Sequence, residues 1–548
     1  MMNTSISRRQ FLKASGLAAA GACAAGLLTG CGGSSSGSAS GAASSGSGSS
    51  YTILYDSQPA TLNYLTTGTD LEMVVGANCV DTLVEYDNKG VMREGLATSW
   101  DWDVDTLTWT FHLREENWVD CNGEVVAPVT AQDFVDALKY VLTPDYAASN
   151  VGLVTAYIAG ADDYYNYHVY LNNANTGVVD DDGTTYTVDG SGVVTVTAPG
   201  SDPATYAPVD FDAVGVTAVD DHTLTYTLTY DFPGFLSLLC YLPYEPAYGP
   251  LLEETGDQFA TSAETTYSCG AFYLAAYESL ETWVMKKNPE NYDADNVFID
   301  TISRIYNAES SVNGPEMIKR GEIDEAKAKE YRDAAIPELT AAGVTFPIKV
   351  QMPYNPSSTD WDKQCQVFKQ QLESVLNDGF DFIDIIITAG PSDSFLSSVR
   401  RNGKFAFLQC NWGADYSDPQ TETDPFYQAE GARGSRYAFL RTGVEDGFIT
   451  GDTADAVMNY MKAIEEAVKI TDDINARYDA FANAEASLIN NALVVPMGMS
   501  IPPYIATRLN YWEGQYASTG FSNKRLKGIH VLDHYISMSE YEANRDAR

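Results

Sequence analysis

The chain has 548 residues, more than one hydrophobic core normally organises, so two or three lobes are expected. Hydrophobic residues make up 45% and charged residues 20%, ordinary values for a folded protein, which argues against disorder for the bulk of it. A formal charge of −42 argues against nucleic acid as a partner, because phosphates need a basic surface.

The first element lies outside the fold. Ser7-Arg8-Arg9-Gln10-Phe11-Leu12-Lys13 sets two arginines before a short apolar run that ends at Leu28-Thr29-Gly30-Cys31. A basic flank, a small-residue-rich apolar run and a cleavage site mark an export signal over residues 1–30, and the arginine pair matches the twin-arginine route. Leu28-Thr29-Gly30-Cys31 resembles a lipobox, in which Cys31 carries a diacylglyceryl group and becomes the mature N-terminus. Cleavage there removes three basic residues and no acid, deepening the charge to −45. Residues 31–50 are almost all Gly, Ser and Ala and read as a flexible tether. No other apolar run is long enough to span a bilayer.

The body opens with a strand at 51–55, followed by turn chemistry at Pro59. Alternation over 107–113 predicts another strand, and Thr130-Ala131-Gln132-Asp133 a capping box opening a helix with Phe134, Ala137, Leu138 and Val141 on one face. The stretch 160–212, rich in Asp, Gly, Asn, Thr and Tyr, reads as an inserted hairpin, with 186–188 and 193–196 flanking Asp189-Gly190-Ser191-Gly192. The acidic run 180–182 reads as a solvated turn. Residues 214–219 and 223–230 flank a turn at Asp220-Asp221-His222. Helical stripes follow at 362–376, 456–470 and 474–492, with strands at 382–388, 405–409 and 493–497 beside them. Mixed order of this kind implies an α/β fold. Six cysteines of the body are scattered, with no C-x-x-C pair to suggest zinc or redox chemistry; buried thiols and disulfides are both open readings.

Several segments, in order, resemble the extracellular solute-binding proteins of family 5, which serve oligopeptide importers. They are Leu83-Val84-Glu85-Tyr86, Gly95-Leu96-Ala97-Thr98-Ser99-Trp100, Val219-Asp220-Asp221-His222-Thr223-Leu224, Cys269-Gly270-Ala271-Phe272-Tyr273-Leu274, Gly321-Glu322-Ile323-Asp324 and Trp412-Gly413-Ala414-Asp415-Tyr416-Ser417-Asp418-Pro419. In that family the first of these is helical. The resemblance implies a periplasmic-binding-protein fold of class II (type 2), two lobes around a ligand cleft with an extra N-terminal lobe. Mapped here, lobe I is 51–78 with 215–310 and 500–548, lobe II is 79–214 with the insertion 160–212, and lobe III is 311–499. Between residue 324 and the strand near 348 the family has a stretch on the order of a hundred residues that is missing here, so a shortened third lobe is expected.

The resemblance also implies a site. In peptide-binding relatives the aspartate matching Asp415 holds the ligand's α-ammonium, while the backbone of Trp412, Gly413 and Ala414 pairs with the peptide as an added strand. Arg400 aligns loosely with basic groups that meet a peptide's carboxylate, and Gly68-Thr69 with a loop that bonds peptide backbone. Short peptides, the permease subunits of an ABC importer and, through Cys31, the membrane are the partners implied, for a monomer without cofactor or metal. Two other readings stand beside it: a surface lipoprotein whose cleft is vestigial or takes another solute, and a secreted hydrolase. The chain has no H-E-x-x-H or G-x-x-x-x-G-K to favour an enzyme, and its G-x-S-x-G string, Gly33-Ser34-Ser35-Ser36-Gly37, belongs to the Gly/Ser tether.

Overall fold

Strand Ser50–Tyr55 forms where the sequence predicts it, and its partner comes from far along the chain: it runs parallel to Thr301–Tyr306, with Ser50 opposite Thr301. Thr282–Lys287 and Phe272–Glu278 extend this first sheet with antiparallel pairing. The computed structural model describes residues 49–55, 58–180, 183–306, 325–357, 361–392, 395–401, 403–430, 437–494, 507–517 and 519–547. All of them belong to one contact unit, Gly48–Arg548. Under the first sheet, Tyr55, Trp283, Met285 and Ile302 pack with Val75 and Cys79 of helix Met73–Cys79 and with Leu509, Leu526 and Ile529. Parallel neighbours need a long crossover, so this part of the fold closes only when the C-terminal stretch returns to it.

Charges are built into the same region. Arg525 lies 3.5 Å from Asp81 and 3.3 Å from Glu245, and Lys527 lies 2.7 Å from Glu85 and 3.7 Å from Asp81. With Asp293, 4.0 Å from Lys527, four carboxylates thus face two buried cations. Burial pushes Glu245 up to about 8, with Arg525 opposing and Asp81 adding to the rise; burial likewise pushes Glu116 up to about 7. Between the ordinary carboxylate pKa of about 4.3 and these values, the folded chain holds protons that the unfolded chain has released. Their stabilisation is complete at the acid end and is lost as pH rises. Stability is expected to fall from about pH 5 to about pH 8, by up to ~1.4 kcal/mol per pH unit for each proton, and then to level off. Glu245→Gln, which keeps the site neutral, should flatten the slope in thermal melts across that range. Identical slopes in variant and wild type would show that Glu245 is ionised in the fold.

A second sheet orders Val216–Asp220, Thr223–Thr227, Thr108–Leu113 and Ala97–Asp103, antiparallel throughout. Residues on both sides of the expected 214/215 boundary therefore share one sheet. Helix Ala131–Val141 packs on it through Phe134, Ala137, Leu138 and Val141, and its start is the predicted capping box. The Asp133 carboxylate accepts from the Thr130 backbone N–H at 2.8 Å and from the Trp118 indole at 3.1 Å.

The insertion contains more than a hairpin. Strands Thr185–Val188 and Val194–Thr197 pair as expected and gain a third, Ala204–Tyr206. Helix Ala161–Thr176 precedes them. Its Asp, Asn and Tyr residues are indifferent helix formers, and it is anchored by burying Tyr164 and Tyr167. Two further expectations are corrected. The stretch 83–86 is extended rather than helical: Val84–Tyr86 is a strand paired with Met92–Glu94. The stretch 405–409 is irregular and forms no strand, and the Ala406 and Phe407 N–H groups both donate to the Gln351 carbonyl. Leu493 and Val494 form a bend, and the rest of 493–497 lies outside the described residues, as do residues 181 and 182 of the acidic run.

The C-terminal part begins with a β-α-β unit: Ile348–Tyr354 and Ile383–Ala389 run parallel, joined through helix Trp361–Leu376. Arg332, buried on helix Glu325–Ala341, donates to the Leu376 and Asp378 carbonyls at 3.0 and 2.7 Å, capping that connecting helix. Helices Gly451–Ala467 and Ile474–Asn490 pack on each other through Val457, Tyr460, Met461, Ile464, Phe481 and Leu488. The six body cysteines are free thiols. Burial pushes Cys79 and Cys240 up to about 12 and Cys365 to about 11, leaving them protonated and poor nucleophiles.

Candidate ligand site

The segment Trp412 to Asp418 has no regular secondary structure, yet almost every residue in it is tied down. The Trp412 indole donates to the Thr421 carbonyl at 2.8 Å, and its ring meets Tyr437 edge-on at 5.4 Å. Gly413 is exposed. The Ala414 carbonyl accepts from the Gly520 N–H at 2.7 Å. Gly520 has φ +63, and a Cβ there would lie 3.2 Å from the Asp415 carbonyl, so glycine is what permits this approach. The Asp415 N–H donates to Thr421 Oγ1 at 3.0 Å, and the Ser417 N–H to Ser237 Oγ at 2.9 Å.

Asp418 anchors the far end. The sequence reads it as turn chemistry, and it does accept from the Gln420 N–H at 3.0 Å. It also receives Arg477 through two parallel bonds, 2.8 and 3.0 Å, with both side chains almost fully buried. The same guanidinium donates to the Val468 and Ile470 carbonyls at the end of helix Gly451–Ala467.

Asp415 is buried, 6% exposed. Glu422 is raised above the usual carboxylate range, first by burial and then by the charges of Glu485 and Asp415. A carboxylate fixed in this way can hold a cation such as an ammonium, because its backbone is positioned before any ligand arrives.

The remaining predicted residues gather along the same seam. Arg400 donates to the Tyr437 hydroxyl at 2.9 Å, and that hydroxyl donates to the Asn411 carbonyl at 2.7 Å, which links Arg400 to the Trp412 segment. Arg400 Nε is buried with no protein partner among the described residues. The neighbouring Arg401 guanidinium donates to the Ser149 carbonyl. Gly68 packs there too: a Cβ on it would lie 2.9 Å from Ser149 Cβ and 3.9 Å from Leu396. Thr69 is exposed, and its carbonyl accepts the Glu72 and Met73 N–H groups at the start of helix Met73–Cys79. Cys31 lies outside the described residues.

Sequence reasoning missed the other half of the seam. Tyr157, Tyr230 and Phe232 come from the body around the second sheet and meet Tyr416, Gln420 and Asp424. Tyr416 sits inside the motif that carries Asp415, but nothing local marks Tyr157 as its partner. Beside this contact a cavity of about 850 Å³ opens, lined by Tyr157, Tyr230, Gln420, Asp424, Tyr427 and Glu465 among others.

Residues 92–342 match the family described as bacterial extracellular solute-binding proteins, family 5 Middle, and residues 5–26 match a twin-arginine translocation pathway signal. The oligopeptide-binding protein AmiA of Streptococcus pneumoniae is 24% identical, over 95% of this chain and 94% of that protein. That alignment spans 680 positions against 548 residues here, so AmiA carries segments that this chain lacks. AliB of the same species is 25% identical, again over 95% of this chain and 94% of its own. Among solved structures, Haemophilus influenzae OppA in complex with RPPGFSPFR superposes with a TM-score of 0.61 at 18% identity, covering 89% of this chain and 100% of that one. The export signal, a family match over residues 92–342, relatives aligned nearly end to end and a shared backbone agree: the chain is similar to family 5 of the bacterial extracellular solute-binding proteins and has the type 2 periplasmic-binding fold of the solved structures it superposes on.

Proposed function

We propose that this protein is the solute-binding component of an ABC importer, tethered to the outer face of the membrane by a lipid on Cys31, and that it captures short peptides and delivers them to the permease subunits as a monomer. The observation that carries the reading is the Trp412–Asp415 segment. It presents a buried, prepositioned carboxylate at a seam between parts of the chain, in a protein whose relatives of nearly equal coverage are named oligopeptide-binding. Asp415 receives the peptide ammonium. The Ala414 carbonyl is engaged by Gly520, so main-chain pairing with the ligand falls to Trp412 and Gly413. Arg400, held by Tyr437, is a cation linked to this segment that suits a terminal carboxylate.

Titrating a randomised pentapeptide pool should raise the melting temperature and shrink the radius of gyration in solution scattering as the cleft closes. A pool that does neither would leave a surface lipoprotein without peptide-binding activity. The anchor is tested separately by fractionation. Wild type should partition with membranes and Cys31→Ala should be released or remain unprocessed, whereas unchanged fractionation and mobility would dispose of the lipid.

A further inference from the structure

Tyr416 follows Asp415 directly, and its side chain is inserted into a different part of the protein. It is fully buried in a box made by Tyr157 and Phe232, meeting both rings edge-on at 5.8 and 5.3 Å, while Tyr157 and Phe232 stack at 4.4 Å. The hydroxyls of Tyr157 and Tyr416 lie 2.5 Å apart, and Asp424 Oδ2 lies 3.2 and 2.9 Å from them, so that Tyr157 donates to Tyr416 and Tyr416 to Asp424. Gln420 Nε2 adds bonds to the Tyr157 and Tyr230 hydroxyls, each 3.3 Å. Burial holds both phenols well above their ordinary pKa, so they act as neutral donors.

The two sides of this network are anchored to different stretches of the chain. The Tyr157 carbonyl accepts the Thr229 N–H, next to the second sheet, and Ile158 bridges Leu228. Tyr416, Gln420 and Asp424 belong to the segment held by Arg477 and by the Tyr460 hydroxyl, which donates to the Thr423 carbonyl at 2.9 Å. We infer that Tyr157 is a positioning residue for ligand capture: its hydroxyl couples the seating of Tyr416, and with it the placement of Asp415, to the contact between residues 412–424 and the residues beside the second sheet. The inference rests on Asp415 meeting the ligand. One trans peptide joins the two residues, their Cα atoms about 3.8 Å apart, so withdrawal of Tyr416 from its box displaces the backbone that carries the Asp415 carboxylate.

Tyr157→Phe keeps the ring packing and leaves Tyr416 bonded to Asp424, so the fold survives while the crossing hydroxyl is removed. Hydrogen exchange read by mass spectrometry on unliganded protein should show faster exchange over residues 412–424 and unchanged exchange in helix Ala131–Val141. Pentapeptide-pool affinity should drop about five- to tenfold, the usual worth of one hydrogen bond. N-acetylated peptides, which no longer depend on Asp415, should show little of that drop. Tyr416→Phe, which retains the ring and loses the other hydroxyl, should reproduce the pattern. Wild-type exchange over 412–424 in both variants would overturn the coupling, as would faster exchange spread evenly over the whole chain or equal losses for free and acetylated peptides. If the pool fails to bind wild type at all, the peptide reading falls, and the exchange result alone decides the coupling.

Discussion

Asp415→Asn is expected to weaken peptide binding by roughly thirtyfold to several thousandfold, the equivalent of about 2–5 kcal/mol for losing one partner of a desolvated charge pair. The substitution preserves shape, and the backbone around it is held at Thr421 and Gly520 independently of the carboxylate. The melting temperature of unliganded protein, measured beside the affinity, separates loss of the ammonium contact from loss of fold. Acetylating the peptide N-terminus should cost wild type a similar factor, and the two changes together should cost less than their sum because they remove one interaction. A calorimetric double-mutant cycle measures this. Strict additivity, or equal binding of free and acetylated peptide by wild type, would make Asp415 a structural residue of the Trp412 segment.

The largest stability effect is expected at Arg477. Its Ala variant leaves the Asp418 carboxylate buried without its cation and removes donors from the carbonyls that end helix Gly451–Ala467. Breaking a buried pair from one side typically costs about 3–5 kcal/mol. Arg477→Lys should recover little, because one ammonium cannot reproduce two parallel bonds to Asp418, a third to Gln420 at 3.0 Å and the carbonyl contacts. Asp418→Ala combined with Arg477→Ala should cost less than the two separately. Urea unfolding followed by circular dichroism reads all four proteins. A loss below about 1 kcal/mol for Arg477→Ala would show that the surrounding helices, not this pair, hold the segment.

The sequence by itself determined whatever depends on near neighbours. Periodicity over 362–376, 456–470 and 474–492 located three helices to within a few residues, because one apolar stripe must be buried whatever it meets. The capping box at Thr130 and the hairpin around Asp189 were legible for the same reason: both partners lie within a few residues of each other. The twin-arginine signal was likewise readable as a string of residue types.

Tertiary structure decided the rest. Helix Ala161–Thr176 has weak intrinsic propensity and depends on burying Tyr164 and Tyr167, whereas 405–409 meets strand Ile348–Tyr354 only at the Gln351 carbonyl and stays irregular. Strand Ser50–Tyr55 carries no mark of its parallel partner Thr301–Tyr306. Asp418 shows its turn locally, but its cation arrives from a helix dozens of residues later, and Tyr157 meets Tyr416 from farther still. Side-chain periodicity records which face of an element is apolar; it holds no information about which distant face will cover it. The type of residue at Asp415 was therefore plain in the chain, while its burial, its fixed backbone and the aromatic box beside it exist only once the chain has folded back on itself.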